Sequence, residues 1–121
     1  MVCSMPSRGE ALLDRFYRPH HRALESGVES MLEAHGRCSI VDGHSFPSRP
    51  LPRDLDRTPH RPAICLGTDS FHIAAVICHA AAEFFAGEGL EAFFDAPYRG
   101  TILPQWWYLR DARVQSLIIE R

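Results

Sequence analysis

Cys38-Ser-Ile-Val-Asp-Gly-His-Ser-Phe-Pro-Ser-Arg-Pro-Leu-Pro52 is the stretch from which the rest of the chain is read. It opens as a short apolar run, Cys38 to Val41, between Gly36 and Gly43. A run of that length bounded by breakers predicts a strand buried on both faces. It stops on Asp42-Gly-His-Ser45, which sets a carboxylate, an imidazole and a hydroxyl at the strand's C-terminal end. That edge of an open α/β sheet is where ligands bind. Pro47, Pro50 and Pro52 then exclude both a helix and a central strand. On spacing alone, Asp42 and Ser45 read equally as turn formers around Gly43, and His44 as a hydrogen-bonded strand-end residue.

Upstream, Leu12, Leu13, Phe16 and Tyr17 share a helical face, and Leu24, Val28, Met31, Leu32 and His35 resume the pattern. Pro19 interrupts it, and Gly36 supplies the C-cap. Two helical pieces, or one kinked helix, are expected to pack against the sheet, behind a loose arm at residues 1–8. His21 and Glu25, four apart, share a face as metal ligands or as an exposed local pair. Downstream, the loop from Ser45 to Pro62 carries five prolines together with Arg49, Arg53, Arg57 and Arg61. Loops of this length are usually functional or mobile. Its arginines could attract an anionic substrate or simply be solvated.

Ala63 to Leu66 reads as a second strand and Leu90 to Asp95 as a third. Between them lies a helix capped by Asp69 or Ser70, with Ile73, Ala74, Ile77, Ala81 and Phe84 at helical spacing. Trp106, Trp107 and Tyr108 could line a pocket or cover a sheet edge. Val114 to Glu120 is the last strand, buried on both faces. Helices alternating with strands predict an α/β layered domain over residues 9–121.

The composition is ordinary for a globular chain, 45% apolar and 23% charged, so disorder is not expected. A net charge of −2 argues against nucleic acid as a partner. No apolar run approaches membrane-spanning length, and no signal peptide is visible. Cys3, Cys38, Cys65 and Cys78 lack zinc-ribbon spacing and read as small buried hydrophobes. A cytoplasmic location is therefore expected.

The segment Ile40-Val-Asp-Gly-His-Ser-Phe-Pro-Ser48 resembles the hydrophobic-Asp-x-His-Ser segment of the N-formylglutamate amidohydrolase family. Further blocks in the same order are similar to that family. They are Tyr17-Arg-Pro-His-His21, Arg61-Pro-Ala-Ile-Cys-Leu-Gly-Thr-Asp69, Phe71-His72, Pro97-Tyr-Arg-Gly-Thr101 and Ser116-Leu-Ile-Ile-Glu120. The likeness runs from about Leu12 to the last residue and looks like only the later part of a member.

The resemblance implies an α/β three-layer fold, helix/mixed sheet/helix, similar to that of zinc carboxypeptidases, here truncated. It implies zinc-dependent cleavage of the amide of an N-formyl or N-acyl amino acid such as N-formyl-L-glutamate. His44 then falls on the metal-ligand position and Glu120 on the catalytic one, with Asp42 supporting the ligand from behind. His72, Tyr98, Gly100 and Arg113 fall in matching blocks as substrate contacts, with Arg113 a carboxylate clamp on charge geometry.

Departures from the pattern are also visible. Ala63 stands where an acid is expected and Ile73-Ala74 where Thr-Pro is expected, and the upstream His and acid that complete the zinc set are missing. A catalytic zinc takes three protein ligands, so zinc binding by this chain alone is expected to be weak or nil. Other readings are a non-catalytic fragment or paralogue acting as a binding or homo-oligomerisation module, and a serine hydrolase built on Ser45. The latter needs Gly where Pro47 stands and a helix directly after.

Overall fold

A computed structural model describes residues 7–73 and 75–121. Of the expected N-terminal arm, residues 1–6 lie outside the described residues, while Ser7 caps a helix that Arg8 opens. Ser7 and Glu10 form a reciprocal capping box at the start of α1 (Arg8–Leu12). The helical run then passes through a π-helical turn, Leu13–Tyr17, into α2 (Arg18–His35). Pro19 enters at the first turn of α2. A wider turn ahead of the ring relieves the clash a proline makes with the preceding carbonyls, so the run is continuous rather than broken. Gly36, at φ 68°, closes α2 with its N–H on the Leu32 carbonyl.

Only the later part of this helix packs as expected. Val28 is buried and Leu32 lies against it, whereas Leu12, Leu13, Phe16 and Tyr17 are exposed.

Four strands make a mixed sheet: β1 (Cys38–His44), β2 (Ile64–Gly67), β3 (Ala92–Phe94) and β4 (Val114–Glu120), in the order β1-β4-β2-β3. β1 runs parallel to β4, β4 antiparallel to β2, and β2 parallel to β3. β4 is therefore central and β1 is an edge. The expectation that β1 is buried on both faces is corrected here: Val41 is 65% exposed and joins neither apolar cluster among the described residues.

Alternate positions of the strands feed two apolar clusters. Cys38 and Val114 are paired across β1 and β4, and pack with Val28 of α2 and Trp107. Leu117, Leu66 and Ile64 lie on the opposite parity, against Ile77, Ala81 and Phe85 of α3 (Ala75–Gly87). Fully burying such a side chain contributes about 1.5–3 kcal/mol. Trp107 thus covers the start of β1 and β4 rather than lining a pocket, while Trp106 is exposed.

α3 starts later than Asp69 or Ser70 would place it. Asp69 accepts the N–H groups of Phe71 and His72, closing a turn instead of capping a helix. The His72 carbonyl then accepts the Ser116 N–H of β4 at 2.8 Å. Backbone committed to the sheet there cannot also be helical.

Gly67 fits for a steric reason. A Cβ there would sit 2.4 Å from the Gly100 carbonyl oxygen, so only glycine lets the 97–101 loop lie down on the sheet.

Candidate active site

Register decides which polar groups meet. On the parallel β1–β4 ladder His44 pairs with Glu120 and Asp42 with Ile118. Glu120 pairs on its other side with Cys65 of β2. Side chains at paired positions point to the same face. Asp42, His44 and Glu120 therefore share one face at the C-terminal end of both strands, adjacent strands being about 4.8 Å apart. The end does not fray: the Arg121 N–H reaches the His44 carbonyl and the Phe46 N–H reaches the Arg121 carbonyl, each at 3.2 Å.

His44 Nε2 lies 2.8 Å from Asp42 Oδ2, and the ring is half exposed. Burial pushes the Glu120 carboxyl above the ordinary carboxylate range; a His44 cation opposes the shift and the Asp42 charge adds to it. A carboxyl raised in this way parts with its proton less readily than an ordinary one, which favours a part in both taking and giving a proton. Glu120 also lines an open cleft of about 350 Å³, walled by Ser45, Phe46, Leu51, Arg53 and Tyr98. His44 is not part of that lining, so the two share a sheet face but not the cleft.

Tyr98 and Gly100 come close to this face. The Tyr98 carbonyl accepts the Cys65 thiol at 3.4 Å, and Gly100 lies over Gly67 and β4. The Tyr98 hydroxyl is already engaged, receiving Arg61 Nη1 at 3.1 Å and donating to Asp54 Oδ2 at 3.3 Å. A contact from Tyr98 to a ligand is left to its ring.

His72 and Arg113, read from the sequence as substrate contacts, lie outside the lining of the cleft that holds Glu120. His72 is fully buried. Its Nδ1 meets the Val114 carbonyl at 2.9 Å and its Nε2 accepts the Leu109 N–H at 2.8 Å, so no ring nitrogen remains for a substrate. It is tied to Ser116, four residues and about 13 Å from Glu120 along β4. Arg113 precedes β4 at the far end and grips Asp111 through both Nε and Nη2, at 3.0 and 2.7 Å. That geometry spends its fork on a surface ion pair.

A catalytic zinc needs three protein ligands. His44 and Asp42 are bonded to each other, and among the described residues no three His, Cys, Asp or Glu side chains converge. His21 stacks on Tyr17 at 5.0 Å. The residues present do not by themselves fit a zinc ion. Ser45 is followed by an irregular loop, so the helix that a nucleophile elbow requires is missing from its place.

One element escaped the sequence reading. Arg61 and Asp54 form a buried ion pair, Nη2 to Oδ2 2.7 Å, with side chains only 3% and 8% exposed. The guanidinium also lies over the Tyr98 and Phe46 rings, 5.4 and 5.9 Å from their centroids. Arg and Asp alternating between Arg53 and Arg61, inside a proline-stiffened loop, was the available signal.

Comparison with known proteins bears on this site. The family model described as N-formylglutamate amidohydrolase matches residues 5–121. Among solved structures, the chain is similar to N-formylglutamate amidohydrolase from Ralstonia eutropha JMP134, at 23% identity and a TM-score of 0.76. The alignment covers 92% of this chain and 41% of that one, so the chain spans less than half of the solved relative. At that identity the likeness speaks for the fold. A comparison with curated proteins found no match. With the family model covering nearly its whole length, the chain belongs to the N-formylglutamate amidohydrolase family.

Proposed function

We propose that this chain carries the proton-transfer part of an amidohydrolase site that cleaves the formamide of an N-formyl amino acid, N-formyl-L-glutamate above all. The observation that carries the reading is Glu120, held in register beside His44, raised in pKa by burial and lining an open cleft. Water adds to the formyl carbon while Glu120 takes its proton. Glu120 returns that proton to the amine nitrogen as the C–N bond breaks, and formate leaves. The Asp42 carboxylate holds the His44 ring in one orientation.

Other N-acyl amino acids belong to the same substrate proposal. A zinc role for His44 is supported by its place in the matching block, with the remaining ligands to come from outside the described residues. The likeness to zinc carboxypeptidases in three layers is supported by the two clusters on opposite strand parities. A cytoplasmic location is supported by the free thiols of Cys38, Cys65 and Cys78, which suit a reducing compartment.

The test measures formate release from N-formyl-L-glutamate, by the chain alone and mixed with the part of the Ralstonia eutropha protein that it does not cover. Glu120→Gln is expected to slow turnover by roughly two to four powers of ten with little change in KM. Equal rates with Gln at 120 would leave Glu120 structural. A second reading, a non-catalytic binding or homo-oligomerisation module, is favoured by the want of a third metal donor among the described residues and by the open edge of β1. It predicts no formate in either arm and no zinc bound at submicromolar affinity.

A further inference from the structure

The cleft that Glu120 lines has one basic side chain and two carboxyls in its wall: Arg53, Asp54 and Glu120. Asp54 is neutralised by Arg61 at 2.7 Å, and hydrogen bonds from Leu51 N–H, Arg61 and Tyr98 hold its carboxyl below the ordinary range. Arg53 is left as the charge without a counterion, since none of the described acidic side chains pairs with it.

Its backbone is not free to wander. Pro52 and Arg53 are the central residues of a turn in which the Asp54 N–H reaches the Leu51 carbonyl at 3.0 Å. The Leu51 N–H returns to Asp54 Oδ2 at 2.9 Å, closing the turn a second time. Proline ahead of Arg53 sets the turn's first dihedral. Asp54 is in turn fixed by Arg61, which is buried among Phe46, Tyr98 and the Asp56 carbonyl. The buried pair therefore fixes the turn that carries Arg53, an exposed cation on the wall of the cleft.

From this arrangement we propose that Arg53 binds the side-chain carboxylate of an acidic N-formyl amino acid, with Arg61 a positioning residue acting through Asp54. The inference rests on the function proposed above. In such a substrate the α-carboxylate sits on the carbon bonded to the reacting nitrogen and stays near Glu120. The side-chain carboxylate is the charged group furthest from the reacting nitrogen, and Arg53 is the cation on the wall of the cleft that Glu120 lines. A guanidinium meets a carboxylate with two parallel hydrogen bonds, which a glutamine amide cannot match in charge.

Calorimetric titration of the full chain with N-formyl-L-glutamate, N-formyl-L-glutamine and glutarate tests it. The wild type should prefer N-formyl-L-glutamate over the glutamine analogue by roughly 10-fold to 100-fold, the size of a charge-assisted hydrogen bond. Arg53→Ala should abolish the preference and Arg53→Lys restore part of it. Arg61→Lys keeps the charge but loses the fork, and should narrow the preference while far-UV dichroism stays native. A preference unchanged in Arg53→Ala, a wild type that shows none, or a wild type that binds no carboxylate overturns the proposal. Arg53-dependent binding of glutarate without binding of either formyl compound keeps the subsite and sinks the amidohydrolase reading instead.

Discussion

The two ends of β4 each hold a histidine, and they use it in opposite ways. At the Val114 end His72 is fully buried, and both ring nitrogens are spent on backbone groups of Val114 and Leu109. At the Glu120 end His44 is half exposed and answers only to the Asp42 carboxylate. The first imidazole is a cross-link that replaces ladder hydrogen bonds where β2 has left β4. The second is free to change partner. A histidine therefore becomes a candidate for chemistry through what its ring leaves unsatisfied, and its presence in a matching block does not decide that.

The contrast can be broken at either end. His72→Ala orphans the buried Val114 carbonyl and releases the Leu109 N–H of an exposed residue, and should cost about 1–3 kcal/mol in denaturant unfolding, the usual figure for one buried group. A loss below about 1 kcal/mol would mean that water replaces the ring. Gly67→Ala drives a methyl against the Gly100 carbonyl between the two ends, and should cost about 1–3 kcal/mol as overpacking does.

Glu120→Gln sharpens the contrast through pH. Because burial raises the folded carboxyl's pKa, the unfolded chain releases its proton first as pH rises. Wild-type stability should therefore fall through the window between the ordinary carboxylate pKa and the raised one. Gln at 120 removes that loss, so its melting temperature should match wild type near about pH 3, where both side chains are neutral, and exceed it at about pH 8. Identical curves at both pH values would show that the carboxyl is fully hydrated. His44→Ala should change stability least, within about 0.5 kcal/mol, as expected of an exposed side chain. A larger loss would make His44 as structural as His72.

Much of this was legible along the chain, for local reasons. Val114 to Glu120 reads as a strand because its aliphatic run has no breaker, and those are the observed bounds of β4. Gly36 caps its helix because only glycine takes φ 68° without strain. The Asp42–His44 and Glu120 blocks lie side by side, as two strand ends bearing polar groups should. β1 was misjudged as buried on both faces because an apolar run does not say whether another layer reaches over each face of the strand.

Backbone propensity, capping chemistry and apolar period act over a few residues, so residue order alone was enough to mark the strands, the glycine end of α2 and the polar strand termini. Charge partners were another matter. Arg113 was read as a clamp and is spent on Asp111, while Arg61 was passed over in a solvated loop and is buried on Asp54. Which carboxylate a guanidinium meets, and whether water is excluded around it, depends on chain segments that become neighbours only when the 45–62 and 97–101 loops fold over the sheet. A carboxylate's ionisation follows the same rule: Glu120 is unusual because of what covers it, and that covering is long-range.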